Sequence, residues 1–128
     1  MADQADLARD LLRIANDDLS AVEALVDVGT VSDAIVGFHA QQAAEKALKA
    51  ALAFRGQEFP FTHNLSVLLQ LCEDAGLDVP AAAAGVDVLT PYGVAGRYGR
   101  PSPGAVPRSA ALALATAAVA FARSVIAG

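Results

Sequence analysis

Gly29, Gly56 and Gly76 each fall where a run of apolar residues at helical spacing gives out, and they divide the first part of the chain into three helical segments. In the first segment Leu7, Leu11, Ile14, Leu19, Val22 and Leu25/Val26 recur near the helical period, with Asp10, Asp17 and Glu23 largely off that stripe. The spacing predicts a helix from about Ala5 to Asp27, with Asp3 and Asp6 at the positive end of its dipole. Thr30 or Ser32 can cap a second helix over Asp33 to Arg55. Glu58-Phe59-Pro60-Phe61 must then be extended, because a residue before proline is pushed out of the helical region. Thr62 or Asn64 can cap a third helix carrying Leu65, Leu68, Leu69 and Cys72. Pro80 opens a short alanine-rich helix reaching about Leu89, and a last helix runs from near Pro107 to about Ile126. Between these two lies a Gly/Pro-rich loop, Thr90 to Pro107, with Tyr92, Arg97, Tyr98 and Arg100. Loops of that length in a compact domain usually carry function or are disordered.

No repeat or second domain interrupts this order, so residues 1–128 are expected to form a single all-α domain. Composition agrees. The chain is 55% hydrophobic but only 5% aromatic, much of the apolar content is alanine, and the alternation that strands would show is missing. A bundle this rich in alanine and leucine has apolar helix faces to spare, which predicts a homodimer with the second helix in the interface. A single cysteine, Cys72, excludes an internal disulfide or a cysteine zinc site, and its leucine neighbours predict a buried structural thiol. The longest apolar run, Ser109 to Ala122, is fourteen residues between Arg108 and Arg123, too short to span a bilayer. The acidic N-terminus is the opposite of a secretory signal's basic start, so a cytoplasmic protein without membrane association is expected.

A net charge of −5 argues against a generic nucleic-acid coat, which needs cations to displace counterions. The charge is uneven, however. Residues 1–33 hold eight carboxylates against Arg9 and Arg13, whereas no acidic residue follows Asp87 and Arg97, Arg100, Arg108 and Arg123 remain. A local anion site is therefore compatible with an acidic chain, toward its C-terminal part.

The second helix holds the most unusual stretch, Phe38-His39-Ala40-Gln41-Gln42-Ala43-Ala44-Glu45-Lys46-Ala47-Leu48-Lys49. Steps of three and four align Phe38, Gln42, Glu45, Lys49 and Leu52, with Lys46 adjoining. Charged and apolar residues thus share one stripe. Either Gln42, Glu45 and Lys49 form a partly buried network, or they are a solvated face with helix-stabilising Glu–Lys pairs. His39 and His63 are the only histidines; no cluster has metal-ligand spacing, and Gly93, Gly96 and Gly99 follow no strand, so neither metal nor cofactor is expected. His63 lies at the start of the third helix, where its ring can bond local backbone or serve a ligand.

These elements resemble the HEPN domains, small helical proteins of prokaryotes with some eukaryotic relatives. The resemblance rests on three motifs in order: the second-helix stretch just quoted, then Thr62-His63-Asn64-Leu65, then Gly96-Arg97-Tyr98. Asn64 stands where aspartate is usual, and asparagine still caps a helix. The resemblance implies an up-and-down bundle of four or five helices, often a homodimer, and frequent pairing with a minimal nucleotidyltransferase in toxin–antitoxin arrangements. Many HEPN proteins are metal-independent ribonucleases whose site is Arg, four to six residues, then His. This chain lacks that spacing, since His39 has no arginine close upstream and Arg55 precedes His63 across a turn.

Three readings compete. In the first the chain is the nucleotide- or substrate-binding partner of a nucleotidyltransferase, with Lys46, Lys49, Arg97 and Tyr98 at the anion or base and Gln42, Glu45 and His63 in support. The second is an endoribonuclease that assembles Arg97 with His63 or His39, although the spacing predicts absent or weak RNA cleavage. The third is a purely structural dimerisation module. The anion site has its own alternative, in which Arg97 pairs with Glu45 and anchors the loop to the bundle while Tyr98 packs as core.

Overall fold

The computed structural model describes residues 3–93 and 106–128, and all regular structure among them is helical. Helix α1 (Gln4–Leu25) begins at Asp3, whose Oδ1 accepts from the Asp6 amide at 2.8 Å. Helix α2 (Asp33–Phe54) is capped by Ser32, whose hydroxyl accepts from the Ile35 amide. Asn64 caps α3 (Leu65–Asp74) through the Ser66 amide, and the Thr62 hydroxyl accepts from the Asn64 amide, so both candidate residues act in one turn. Gly56 and Gly76 follow α2 and α3 at φ +70° and +79°, the left-handed turn that glycine adopts without a Cβ clash.

Two sequence expectations need correction. The alanine-rich segment is two pieces, α4 (Ala81–Ala84) and a 3₁₀ turn (Val86–Leu89), because the helix breaks at Gly85. The chain after Leu89 is not yet loop: residues 90–93 are helical, and Tyr92 is a core residue. Its ring packs closely against Gly37, where any Cβ would sit 2.1 Å from the ring carbon Cδ1, and its hydroxyl accepts from the Val106 amide at 2.8 Å. The lack of a side chain at Gly37 is what lets the ring in. Arg97, Tyr98 and Arg100 lie outside the described residues.

The last helix, α5 (Arg108–Ala127), is twenty residues long, longer than the apolar run inside it suggests. By length and composition it could cross a membrane. Its Ala111, Ala115, Ala118, Val119, Phe121 and Ala122 are buried in the bundle. Arg108 ties its start to the α1–α2 connector, pairing with Asp33 at 2.6 Å and donating to the carbonyls of Leu25, Val26, Val28 and Val31. Arg123, further along, reaches Asn16 of α1, so α5 runs antiparallel to α1 and alongside α2.

α2 is the central element, packed by α1, α3 and α5. Small residues make that possible: Ala40, Ala43, Ala44, Ala47, Ala50 and Ala51 are fully buried and let neighbouring backbones approach closely. Cys72 is buried as expected, and burial, reinforced by the neighbouring Glu73 charge, pushes its thiol up to about 12. That environment makes it inert rather than nucleophilic.

Candidate functional site

A helix enclosed on so many sides cannot carry ionised side chains cheaply, yet α2 buries Gln41, Glu45 and Lys49. Glu45, with 0% exposure, organises the site. Its Oε1 accepts from the Gln41 side-chain amide at 3.1 Å and from His63 Nδ1 at 2.7 Å. Its Oε2 accepts from the ammonium groups of Lys46 at 2.9 Å and Lys49 at 3.0 Å. Four donors thus occupy the acceptor sites of one carboxylate. Burial alone would raise the Glu45 carboxyl, but the bonds from Lys46, His63, Gln41 and Lys49 together outweigh it and hold the group at about 2.

The ionised carboxylate fixes the histidine tautomer. A carboxylate only accepts, so His63 Nδ1 must carry the proton and Nε2 is left uncommitted among the described residues. The His63 ring therefore bonds Glu45 of α2, in the supporting place beside Gln42 and Glu45 that the sequence reading assigns it, and not the local backbone that the same reading leaves open. It is the His63 carbonyl that meets a side chain, accepting from the Gln41 amide at 3.1 Å. Gln41 also accepts from Gln42 at 2.7 Å, so Gln42 enters the network one step removed from the carboxylate.

The other end of the site is aromatic. Lys49 Nζ sits 5.8 Å from the ring centroids of both Phe59 and Phe61, within cation–π range of the extended connector. The Phe61 and His63 rings meet edge to face at 6.1 Å. The residue 90–93 turn closes the third side: a Cβ on Gly93 would come within 3.0 Å of the Gln41 amide carbon, so a side chain there would push on the network. Gly93 thus stands against Gln41, and its neighbour Tyr92 accepts from the Val106 amide.

Of the residues singled out from sequence, the structure brings Gln42, Glu45, Lys46, Lys49 and His63 together, and Arg97 and Tyr98 lie outside the described residues. Their exposures differ in a way the sequence does not reveal. The Lys49 side chain is only 8% exposed, between carboxylate and rings, whereas Lys46 is 23% and His63 55% exposed at the rim. Gln41 is the residue that sequence reasoning missed. It bridges α2 to the start of α3, and the signal for it was the paired glutamine at 41–42, of which only one can share a face with Glu45 at a four-residue step.

Electrostatically the cluster is cationic. One carboxylate faces two ammonium groups, which leaves a surplus positive charge whose solvent-accessible edge is Lys46. A second polar pair, His39 Nδ1 to Asp18 Oδ1 at 2.9 Å, links α2 to α1 and has no such surplus. Among the described residues no group of three or more His, Cys, Asp or Glu side chains could hold a metal ion. A separate cleft of about 430 Å³ lies between the C-terminal ends of α2 and α5, beside Arg55 and Asp78, and contains none of the cluster residues.

Comparison with known proteins agrees with this architecture. The sequence model of the HEPN domain matches residues 8–127. The crystal structure of TT1696 from Thermus thermophilus is similar, with a TM-score of 0.70 at 33% identity over 92% of this chain and 97% of that one. Comparison with curated proteins gives no match. A helical bundle with an Ala-rich central helix, matched over nearly its whole length by the domain model and by a similar solved chain, places the protein: it belongs to the HEPN family.

Proposed function

We propose that this chain is the nucleotide- or substrate-binding partner of a minimal nucleotidyltransferase, in a toxin–antitoxin-like pair, acting as a cytoplasmic homodimer. The observation that carries the reading is the surplus positive charge of the Glu45 cluster, displayed at Lys46 on an otherwise acidic chain. A phosphate at Lys46 would meet an ammonium already oriented by Glu45, so little side-chain entropy is lost on binding. His63 Nε2, on the same rim, offers a second polar contact. Lys49 supports from below by completing the charge balance of the carboxylate. By sequence the reading extends to Arg97 and Tyr98, as further phosphate and base contacts. Co-expression with a minimal nucleotidyltransferase from the same genome tests the partnership. The two chains should co-elute, and transfer of a nucleotide should drop when Lys46 is replaced by alanine. Two chains that never co-elute at micromolar concentration would end the partner reading.

A second reading, a metal-independent endoribonuclease, is favoured by one specific contact. Buried Glu45 holds the half-exposed His63 by Nδ1 at 2.7 Å, the arrangement that orients a general base. RNA cleavage in EDTA that disappears in His63→Ala would move the assignment there; intact RNA leaves it with the binding partner.

A further inference from the structure

Phe61 is 97% exposed, although a phenyl ring gains by leaving water and the core of this bundle lies close by. A lone exposed apolar residue is ordinary on a protein surface. This one is placed by its neighbour in the chain and by two specific contacts. Pro60 precedes it and stiffens the connector by fixing its own φ. The Lys49 ammonium, anchored to Glu45 Oε2 at 3.0 Å, lies 5.8 Å from the Phe61 centroid. The His63 ring, anchored to Glu45 Oε1 at 2.7 Å, meets it edge-on at 6.1 Å. A short chain of contacts therefore joins the open ring to the partly exposed Lys46, whose ammonium shares Oε2 with Lys49.

We infer that Phe61 is a stacking platform for a nucleobase whose phosphate is held at Lys46 and His63. The inference rests on the anion-site reading above and adds to it the ligand's base: the site takes a base joined to phosphate rather than a bare inorganic anion. A π-face recognises every base, so Phe61 supplies affinity with little base specificity, and the larger purine ring covers more of it. The shared chemistry of a free nucleotide and a single-stranded RNA end is the same at this point, and only the length of the bound strand separates them.

Because Phe61 is so exposed, Phe61→Ala should leave the fold intact and report on binding alone. The full chain is titrated calorimetrically with ATP, a short oligoadenylate and inorganic triphosphate, in the wild type, Phe61→Ala and Phe61→Trp. Phe61→Ala should weaken ATP at least about tenfold, about 1.4 kcal/mol, leave triphosphate within about twofold, and be rescued by Phe61→Trp. Tighter binding of ATP than of oligoadenylate would identify a free nucleotide as the natural source, and the reverse an RNA strand. Equal ATP affinity in wild type and Phe61→Ala overturns the platform while leaving the anion site standing. So does an alanine variant that becomes monomeric with unchanged ATP affinity, since the ring would then be a protein contact. A wild type that binds neither ATP nor triphosphate removes the anion site and the platform together.

Discussion

Replacing Glu45 by glutamine keeps the shape of the side chain but deletes the negative charge on which the cluster is built. The most costly consequence falls on Lys49, whose ammonium is 8% exposed and has Glu45 as its ion-pair partner. An ion left buried without a counter-charge typically costs about 3–5 kcal/mol, a large share of the roughly 5–15 kcal/mol that a domain of this size has in total. For 128 residues that corresponds to a fall in melting temperature of roughly 10–20 °C. The assay is thermal unfolding followed by circular dichroism at neutral pH, with Lys49→Met as the second arm. Removing both charges should cost less than the sum of the single changes by about 0.5–3 kcal/mol, because the double variant strands no buried charge. A Glu45→Gln protein melting within about 3 °C of wild type would show that the carboxylate is not the organising charge of the core. Strict additivity of the two changes would show that the pair is not coupled, and either outcome would mean that Glu45 does not hold the buried lysine in place.

Acid should act on the same group. Its folded value of about 2 lies below the ordinary 4.5, so the unfolded chain binds the proton more readily and stability falls as pH falls through that window. The contribution, about 3 kcal/mol, is complete above 4.5 and lost toward 2, so urea melts of wild type should decline more steeply across this range than those of Glu45→Gln. Arg108→Ala removes the pair with Asp33 and the bonds to four carbonyls at the end of α1 and in the connector, and should cost about 2–3 kcal/mol in thermal melts while speeding proteolysis between α1 and α2. Light scattering at tens of micromolar should report twice the 13.0 kDa chain mass, and a monomer there would remove the homodimer from the proposal.

The helices were legible in the sequence where glycine, cap and apolar period agree, as at Ser32, Asn64, Gly56 and Gly76. They were less legible where a tertiary contact decides. Nothing local marks residues 90–93 as helical or Tyr92 as core, because both depend on the space left at Gly37, more than fifty residues earlier. At the site, three-and-four spacing grouped Glu45 with Lys49 but left open whether the mixed stripe is a buried network or a solvated face, and burial with the shared bond decides for the network. Gln41, four residues before Glu45, is within reach of the same spacing, but spacing along one helix cannot show that His63 arrives from outside α2 to fill another acceptor position of the carboxylate. Nor can it separate the two lysines: both bond the same oxygen, but the aromatic connector covers only Lys49.

In the proposed function the Glu45 cluster presents a phosphate-binding edge at Lys46. Calorimetric titration of ATP into the wild-type chain and into Lys46→Ala tests it most directly. Wild type should bind, more weakly as salt is raised, and Lys46→Ala should lose at least about tenfold, about 1.4 kcal/mol, with little change in melting temperature because Lys49 still balances Glu45. Equal affinity for ATP in the two proteins, or no binding of ATP to either, would contradict it.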